Sequence, residues 1–186
     1  MLDGGNSMRT KAEFIRELNR RGDDSLATKS WAGNRQDKLF IGKPSFNAFV
    51  DMDYFGVLAP VTWIPESCQS KGITVPFGFV TDFASVPRLL WSLFSPTGRY
   101  GYAAVFHDFV YWERDAITRK ETDRVFRDTM EELGVPAWQM LTLYAAVRLF
   151  GGAAWRGNAA LRAKEERRIL KKFPDDLTIT WVTWRL

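Results

Sequence analysis

One histidine, three aspartates and one serine are the residues of this chain whose types and spacing suit chemistry. His107 is the only histidine, and Asp108 follows it directly inside the apolar run Ala103 to Tyr111. Asp123 comes fifteen residues after Asp108, with Arg119 and Arg127 one turn away on either side. Asp82 and Ser85 sit in Val75-Pro76-Phe77-Gly78-Phe79-Val80-Thr81-Asp82-Phe83-Ala84-Ser85-Val86-Pro87-Arg88, where a Thr-Asp pair ends a strand-like stretch. One imidazole with up to three carboxylates is a hard, oxygen-rich ligand set. Asp82, His107 and Asp123 would suit one Mg²⁺ or Mn²⁺, or an open Zn²⁺ site, that activates water for hydrolysis. A metal-free version makes His107 the general acid or base, a carboxylate its orienting partner and Ser85 the nucleophile. The competing reading is a buried ion-pair network, with Asp108 and Asp123 held by Arg119, Arg124 or Arg127. Asp82 or Ser85 could equally cap a short helix that begins near Pro87.

Elements must bring these residues together. A helix over Tyr100–Tyr111 carries the His-Asp pair. Thr118-Arg119-Lys120-Glu121 forms a capping box that opens a second helix, which turns Val125, Phe126, Met130 and Leu133 inward and stops at Gly134. If these two helices run antiparallel, His107, Asp108 and Asp123 meet, and Asp82 completes the pocket from a strand end. A third helix starts at Pro136 and ends at Gly151-Gly152. A fourth, strongly basic, covers Asn158 to Phe173. Before the helices, short runs broken by Gly and Pro predict strands at Leu39-Phe40-Ile41, Ala48–Leu58, Val61–Trp63, Ile73–Val75 and Phe79–Thr81. Asp51 and Asp53 then lie on the wet face of a strand. Strands first and helices after give an α+β fold, with one small antiparallel sheet.

The ends read as extensions. Residues 1–37 hold a leader, an amphipathic helix over Lys11–Arg21 opened by a capping box at Thr10, and a polar loop around Trp31. Residues 38–155 form the core domain. Residues 156–186 add the basic helix and a C-terminal strand over Leu177–Leu186. No apolar core follows Met1, so no signal peptide is expected, and no stretch is long enough to span a membrane.

Composition narrows the chemistry. The chain has 186 residues, a single Cys and 15% aromatic residues, which excludes a disulfide scaffold and a Cys-rich zinc knuckle but allows a sizeable core. Net charge is +4, and Arg156 to Lys172 alone contributes seven basic against two acidic residues. That segment could contact phosphates of a nucleic acid. No aromatic residue between Arg156 and Leu170 offers a base a stacking platform. Phosphate-loop and dinucleotide motifs are absent.

The stretch 75–88, His-Asp-Phe-Val-Tyr at 107–111, Arg-Lys-Glu-Thr-Asp-Arg-Val-Phe at 119–126 and Tyr-Ala-Ala-Val-Arg-Leu-Phe-Gly at 144–151 resemble domain of unknown function family 1353. The resemblance runs from Phe46 to Trp155. It implies a phage or prophage origin and places Asp82, Ser85, His107, Asp108 and Asp123 in the family pattern. No established activity comes with it. The expectation is therefore a phage-encoded, metal-dependent hydrolase directed at peptidoglycan or a nucleotide. The alternative is a non-enzymatic virion component of the tail, neck or baseplate, with other virion proteins as partners. Either would be made in the host cytoplasm, and the virion would be a second location.

Overall fold

The computed structural model describes residues 40–42, 45–51, 53–65, 72–83, 99–113, 117–176 and 178–184. The expected N-terminal helix, Cys68, Ser85 and the cap near Pro87 lie outside them. Among the described residues six short strands precede the helices: β1 (Phe40–Ile41), β2 (Phe46–Ala48), β3 (Phe55–Val57), β4 (Val61–Trp63), β5 (Ile73–Val75) and β6 (Val80–Thr81). Then come α1 (Arg99–Trp112), α2 (Arg119–Glu132), α3 (Ala137–Ala163) and a single turn, α4 (Trp181–Trp184). This is the expected α+β fold. The strands do not make one sheet, however. They form two antiparallel sheets of three, in the orders β1-β4-β5 and β2-β3-β6.

The division follows from the turns. Residues 48–58, expected as one strand, fold back on themselves. Phe46 to Ala48 pair with Val57 to Phe55, and Asp51 and Asp53 lie in the connection, not on a wet strand face. Carboxylates are poor strand residues and good turn residues, and that preference prevails over the alternation. At the second bend Gly78 has φ +81°, so a left-handed turn follows Pro76 as its Gly-Pro chemistry implies.

Both sheets bury their inner faces against α1. Trp63 and Phe40 pack on Phe106, and Phe79 meets the ring of Phe109 edge-on at 5.3 Å. Nearly the whole circumference of α1 is buried. A helix apolar all round is a central helix, and α1 is covered by the sheets on one side and by α2 and α3 on the other. α2 begins at the expected capping box: the Thr118 hydroxyl accepts from the Glu121 N–H, and the Glu121 carboxylate accepts from the Thr118 N–H. Gly134 follows its end with φ +67°. Pro136 stands at the N-cap of α3, one place before the helical position expected for it.

Three expectations fail on the C-terminal side. α3 does not end at Gly151-Gly152. It runs on as one 27-residue helix to Ala163. Neither glycine takes positive φ, and a Cβ on Gly151 would lie 2.7 Å from the Tyr111 hydroxyl. Gly151 is thus a place of close helix approach and not a stop. A separate basic helix over Asn158–Phe173 does not form either: residues 158–163 end α3, and residues 164–173 are not helical. The chain leaves α3 through Glu165 at φ +61° and passes along β6, where Val80 N–H donates to Arg168 and Leu170 N–H to Gly78. The expected C-terminal strand is replaced by a bend and α4, whose Trp181 is buried against Phe49. Its alternating pattern was too short to fix a strand without a neighbouring edge.

Basic side chains in this segment are partly committed inward. The Arg168 guanidinium stacks 5.6 Å from the ring of Tyr54 and 5.3 Å from that of Trp112, and Arg162 donates to the Trp112 carbonyl. Among the described residues no helix is long and apolar enough to cross a membrane.

Two glycines should respond oppositely to alanine. A Cβ on Gly72 would stand 2.1 Å from the Trp63 carbonyl oxygen, across the β4–β5 pair, and backbone there cannot give way. Gly72→Ala should lower stability by about 1–3 kcal/mol. Gly157→Ala meets nothing within 4 Å and should raise it by up to about 1 kcal/mol through helix propensity. Urea unfolding of the two variants checks both signs.

Candidate functional site

His107 lies near the middle of α1, and Tyr111 follows one turn later on the same face. Asp123 lies in the first half of α2, facing them. The three side chains meet in the interior: the His107 side chain is 3% exposed and that of Asp123 is 0%. Tyr111 OH donates to Asp123 Oδ1 at 2.7 Å, and His107 Nε2 is 3.2 Å from the same oxygen. A carboxylate only accepts, so Nε2 carries a proton and donates. The imidazole is enclosed by rings, with Tyr111 at 4.2 Å and Phe126 at 5.0 Å between centroids.

The other Asp123 oxygen faces cations. Arg148 Nη1, from α3, donates to Oδ2 at 2.6 Å, and Arg119 Nη1 stands 3.6 Å away, one turn earlier on α2. Arg119 also donates to the carbonyls of Val147 and Arg148. It thereby ties α2 to the backbone of α3 while neutralising Asp123. Thus a single carboxylate joins all three long helices.

On the far side of the ring, His107 Nδ1 lies 3.6 Å from Asp108 Oδ1. That is an ion-pair distance and too long for a hydrogen bond, and Nδ1 has no hydrogen-bond partner. Asp108 accepts a hydrogen bond from the Thr81 hydroxyl at 2.5 Å, which links α1 to the end of β6. The same hydroxyl accepts from the Phe83 N–H. Phe83 takes φ +56°, a left-handed backbone that a bulky residue adopts only under constraint. Asp82 stands between these two residues, half-buried.

Burial alone would lower the pKa of His107, but the hydrogen bond with Asp123 and the charge of Asp108 and Asp123 outweigh it, and the net shift is upward. For Asp123 burial acts upward, and donors from His107, Tyr111 and Arg148 overcome it, so the net shift is downward. Tyr111 is pushed up, first by burial and then by Asp123. Hydrogen bonding and charge thus favour the charged forms of His107 and Asp123, and Tyr111 holds its proton beside them. Asp123 has its oxygens occupied by donors and guanidinium groups. Among the described residues no cluster of three or more His, Cys, Asp or Glu side chains is gathered to hold a metal ion. The divalent ion considered for Asp82, His107 and Asp123 would have to displace these contacts, in which Arg148 and Arg119 supply the positive charge.

Sequence reading thus brings His107, Asp108 and Asp123 within reach of one another, as the structure does, and Arg119 is one of the three cationic partners it offered. It missed Tyr111 and Arg148. Both left a signal: Tyr111 is four residues after His107, and Arg148 is the only charged residue between Ala137 and Trp155. A lone charge in an apolar helix needs a buried counter-charge.

Two measurements follow. Replacing Arg148 with Met removes the shortest partner of a buried carboxylate and should lower stability by about 3 kcal/mol. A double-mutant cycle with Asp123→Asn should recover a large coupling between the two positions. The pH profile has a definite sign. His107, raised above its ordinary 6.5, stabilises the fold below that value and ceases to as pH rises through its folded pKa. Asp123, lowered from 3.8, stabilises above that value and ceases to on acidification. The urea midpoint should therefore be highest between the two ordinary values and fall on the alkaline side. His107→Gln should flatten that alkaline fall, and an unchanged slope would refute the assignment.

A family model described as Protein of unknown function (DUF1353) matches residues 55–147, half of the chain. The matched span holds His107, Asp108, Tyr111, Arg119 and Asp123, and ends one residue before Arg148. The chain is similar to Uncharacterized protein y4jT of Sinorhizobium fredii (strain NBRC 101917 / NGR234), 37% identical over 79 residues that cover 41% of this chain and 23% of that protein. It is also similar to Uncharacterized protein y4iH of the same organism, 36% identical over 104 residues, covering 47% and 43%. The chain spans less than half the length of both relatives. No solved structure matches it.

Proposed function

The chain belongs to the family described as Protein of unknown function (DUF1353), and from that premise we propose that it is a non-enzymatic assembly component, a virion protein of the tail, neck or baseplate. One observation carries the reading: the histidine and the central aspartate of the motif are sealed. Asp123 is wholly buried, with Tyr111 and His107 on one oxygen and Arg148 and Arg119 at the other. A group that acts on substrate must touch it, and the His107 and Asp123 side chains are shut from solvent among protein partners. Their work is to hold α1, α2 and α3 in one arrangement, as a ligand-free scaffold requires. What the protein turns outward instead is an apolar helix face, on α3, and such faces mark interaction surfaces.

A hydrolase is the second reading, favoured by the strained turn at the end of β6. A non-glycine residue held at positive φ is found at active sites more often than elsewhere, and Phe83 adjoins Asp82 and lies two residues before Ser85. Asp108, the more exposed neighbour of His107, would be the reacting carboxylate, with His107 as its positioning residue. Peptidoglycan or a nucleotide would be the substrate.

Two variants separate the readings. Asp108→Asn and His107→Gln should leave incorporation into particles unchanged if enough folded protein remains, and stability should fall in both. The assay is quantitative mass spectrometry of purified particles from a producing strain, beside urea unfolding. Absence of the wild-type protein from particles would sink the assembly reading. Hydrolysis of peptidoglycan or a nucleotide by the wild type, lost in folded Asp108→Asn, would establish the hydrolase.

A further inference from the structure

The end of α3 has no local cause. Its last turn closes as a Schellman motif: Glu165 N–H donates to the Arg162 carbonyl and Glu166 N–H to that of Leu161. The left-handed residue of such a motif is ordinarily glycine, and here it is Glu165, at φ +61°. The sequence beyond does not stop a helix either. Lys164-Glu165-Glu166-Arg167-Arg168-Ile169-Leu170-Lys171-Lys172-Phe173 holds no glycine or proline, and all but Ile169 and Phe173 are strong helix formers. The first breaker is Pro174. Local preference would carry α3 straight on. The chain turns at residues 164–165 because the segment after them has a seat.

That seat lies on the second sheet. Val80 N–H donates to the Arg168 carbonyl and Leu170 N–H to that of Gly78, with Phe79 opposite Ile169, so the segment adds itself to the β6 edge. Glycines make room where it passes. A Cβ on Gly56 would stand 1.9 Å from the Phe173 ring, and one on Gly78 would stand 2.0 Å from the Leu170 carbonyl oxygen. Arg168 is buried against the rings of Tyr54 and Trp112, and Trp181 packs on Phe49 further along. The matched family span contains Gly56, Gly78 and β6, whereas the segment that covers them lies beyond it.

We infer that residues 166–176, with Trp181 after them, are an exchangeable arm, and that the β6 seat takes the arm of a second copy of this chain by the same contacts as its own. The inference goes beyond the assembly reading and does not depend on it. In the exchanged dimer Glu165 leaves the left-handed region, α3 runs on into the hinge, and each arm crosses to the other copy. The two seats are identical, so every contact of the arm is remade and only the hinge differs. Short hinges under strain favour such exchange. The closed monomer has the advantage of a tethered arm, an effective concentration of about 1 mM. Against it stand two strained hinges, each worth about tenfold in the equilibrium.

Sedimentation equilibrium of the full chain, taken through its urea transition and returned to buffer, should show a dimer that grows as protein approaches about 1 mM. Glu165→Gly relieves the closed hinge and weakens a helical one, so it should lower the dimer association constant by about a hundredfold, tenfold per hinge. Glu165→Val, whose branched side chain suits positive φ badly, should raise it. A short bismaleimide separates exchange from ordinary association. The rings of Phe77 and Phe173 meet at 5.4 Å. In a Cys68→Ser, Phe77→Cys, Phe173→Cys chain the reagent should join two chains in the dimer fraction and close one chain on itself in the monomer fraction. Loss of these rings weakens both forms alike, because both use the same seat. A wild type that stays monomeric throughout that range, or a dimer whose cross-links all lie within single chains, overturns the proposal. An association constant equal in Glu165→Gly and wild type overturns the hinge as its cause.

Discussion

A carboxylate with no water around it governs the helical half of this protein. Leaving Asp123 charged and unpaired would cost several kcal/mol, so the surrounding chain must supply donors from every side. α1 supplies an imidazole N–H and a phenol, α2 its own Arg119, and α3 Arg148. Each donor reaches Asp123 only if its helix has the right rotation and height. Apolar packing between α1, α2 and α3 would tolerate small slides, and this network does not. Burying ions is a weak source of stability but a sharp specification of geometry. From there the constraint passes to the sheets, since Asp108, beside the same imidazole, takes a hydrogen bond from Thr81 at the end of β6.

Much of this half is legible in the sequence because its signals are local. A capping box at Thr118, the positive-φ Gly134 and the inward row of Val125, Phe126 and Met130 each follow from residues within a turn or two of one another. The meeting of His107 with Asp123 was reachable from two helices and a short connection. Arg148 was not, since its pairing depends on how a third helix rotates, although its isolation among apolar residues marked it. Gly151-Gly152 misled for a related reason. Glycine ends helices by adopting positive φ and also permits close approach, and only the Tyr111 hydroxyl against Gly151 distinguishes the two uses.

The sheet half was harder to read. Its strands are two or three residues long, which leaves the period-2 signal little room. Asp51 and Asp53 fit an alternating strand and a turn equally well by pattern, and the pairing of Phe46–Ala48 with Phe55–Val57 selects the turn. The C-terminal segment carried hardly any signal, because its partner, β6, lies about ninety residues earlier. Basic residues that look like one charged helix in the sequence divide, in the structure, between solvent and a cation–π stack at Arg168. A charge run is thus a poor guide to surface until the backbone path is known.

The passage of residues 168–170 along β6 bears on the order in which the molecule is completed. Val80 donates to Arg168, Leu170 to Gly78, and Phe79 bridges to Ile169. During synthesis from the N-terminus the segment that covers the β6 edge leaves the ribosome about ninety residues after β6 itself. Until then β6 exposes backbone donors and acceptors that any other extended chain could pair with. Closure over such a long sequence separation is also slow compared with helix formation. The nascent protein therefore passes through a stage with α1, α2 and α3 made and one sheet edge open, and residues 168–170 decide whether that edge is closed by its own chain or by another.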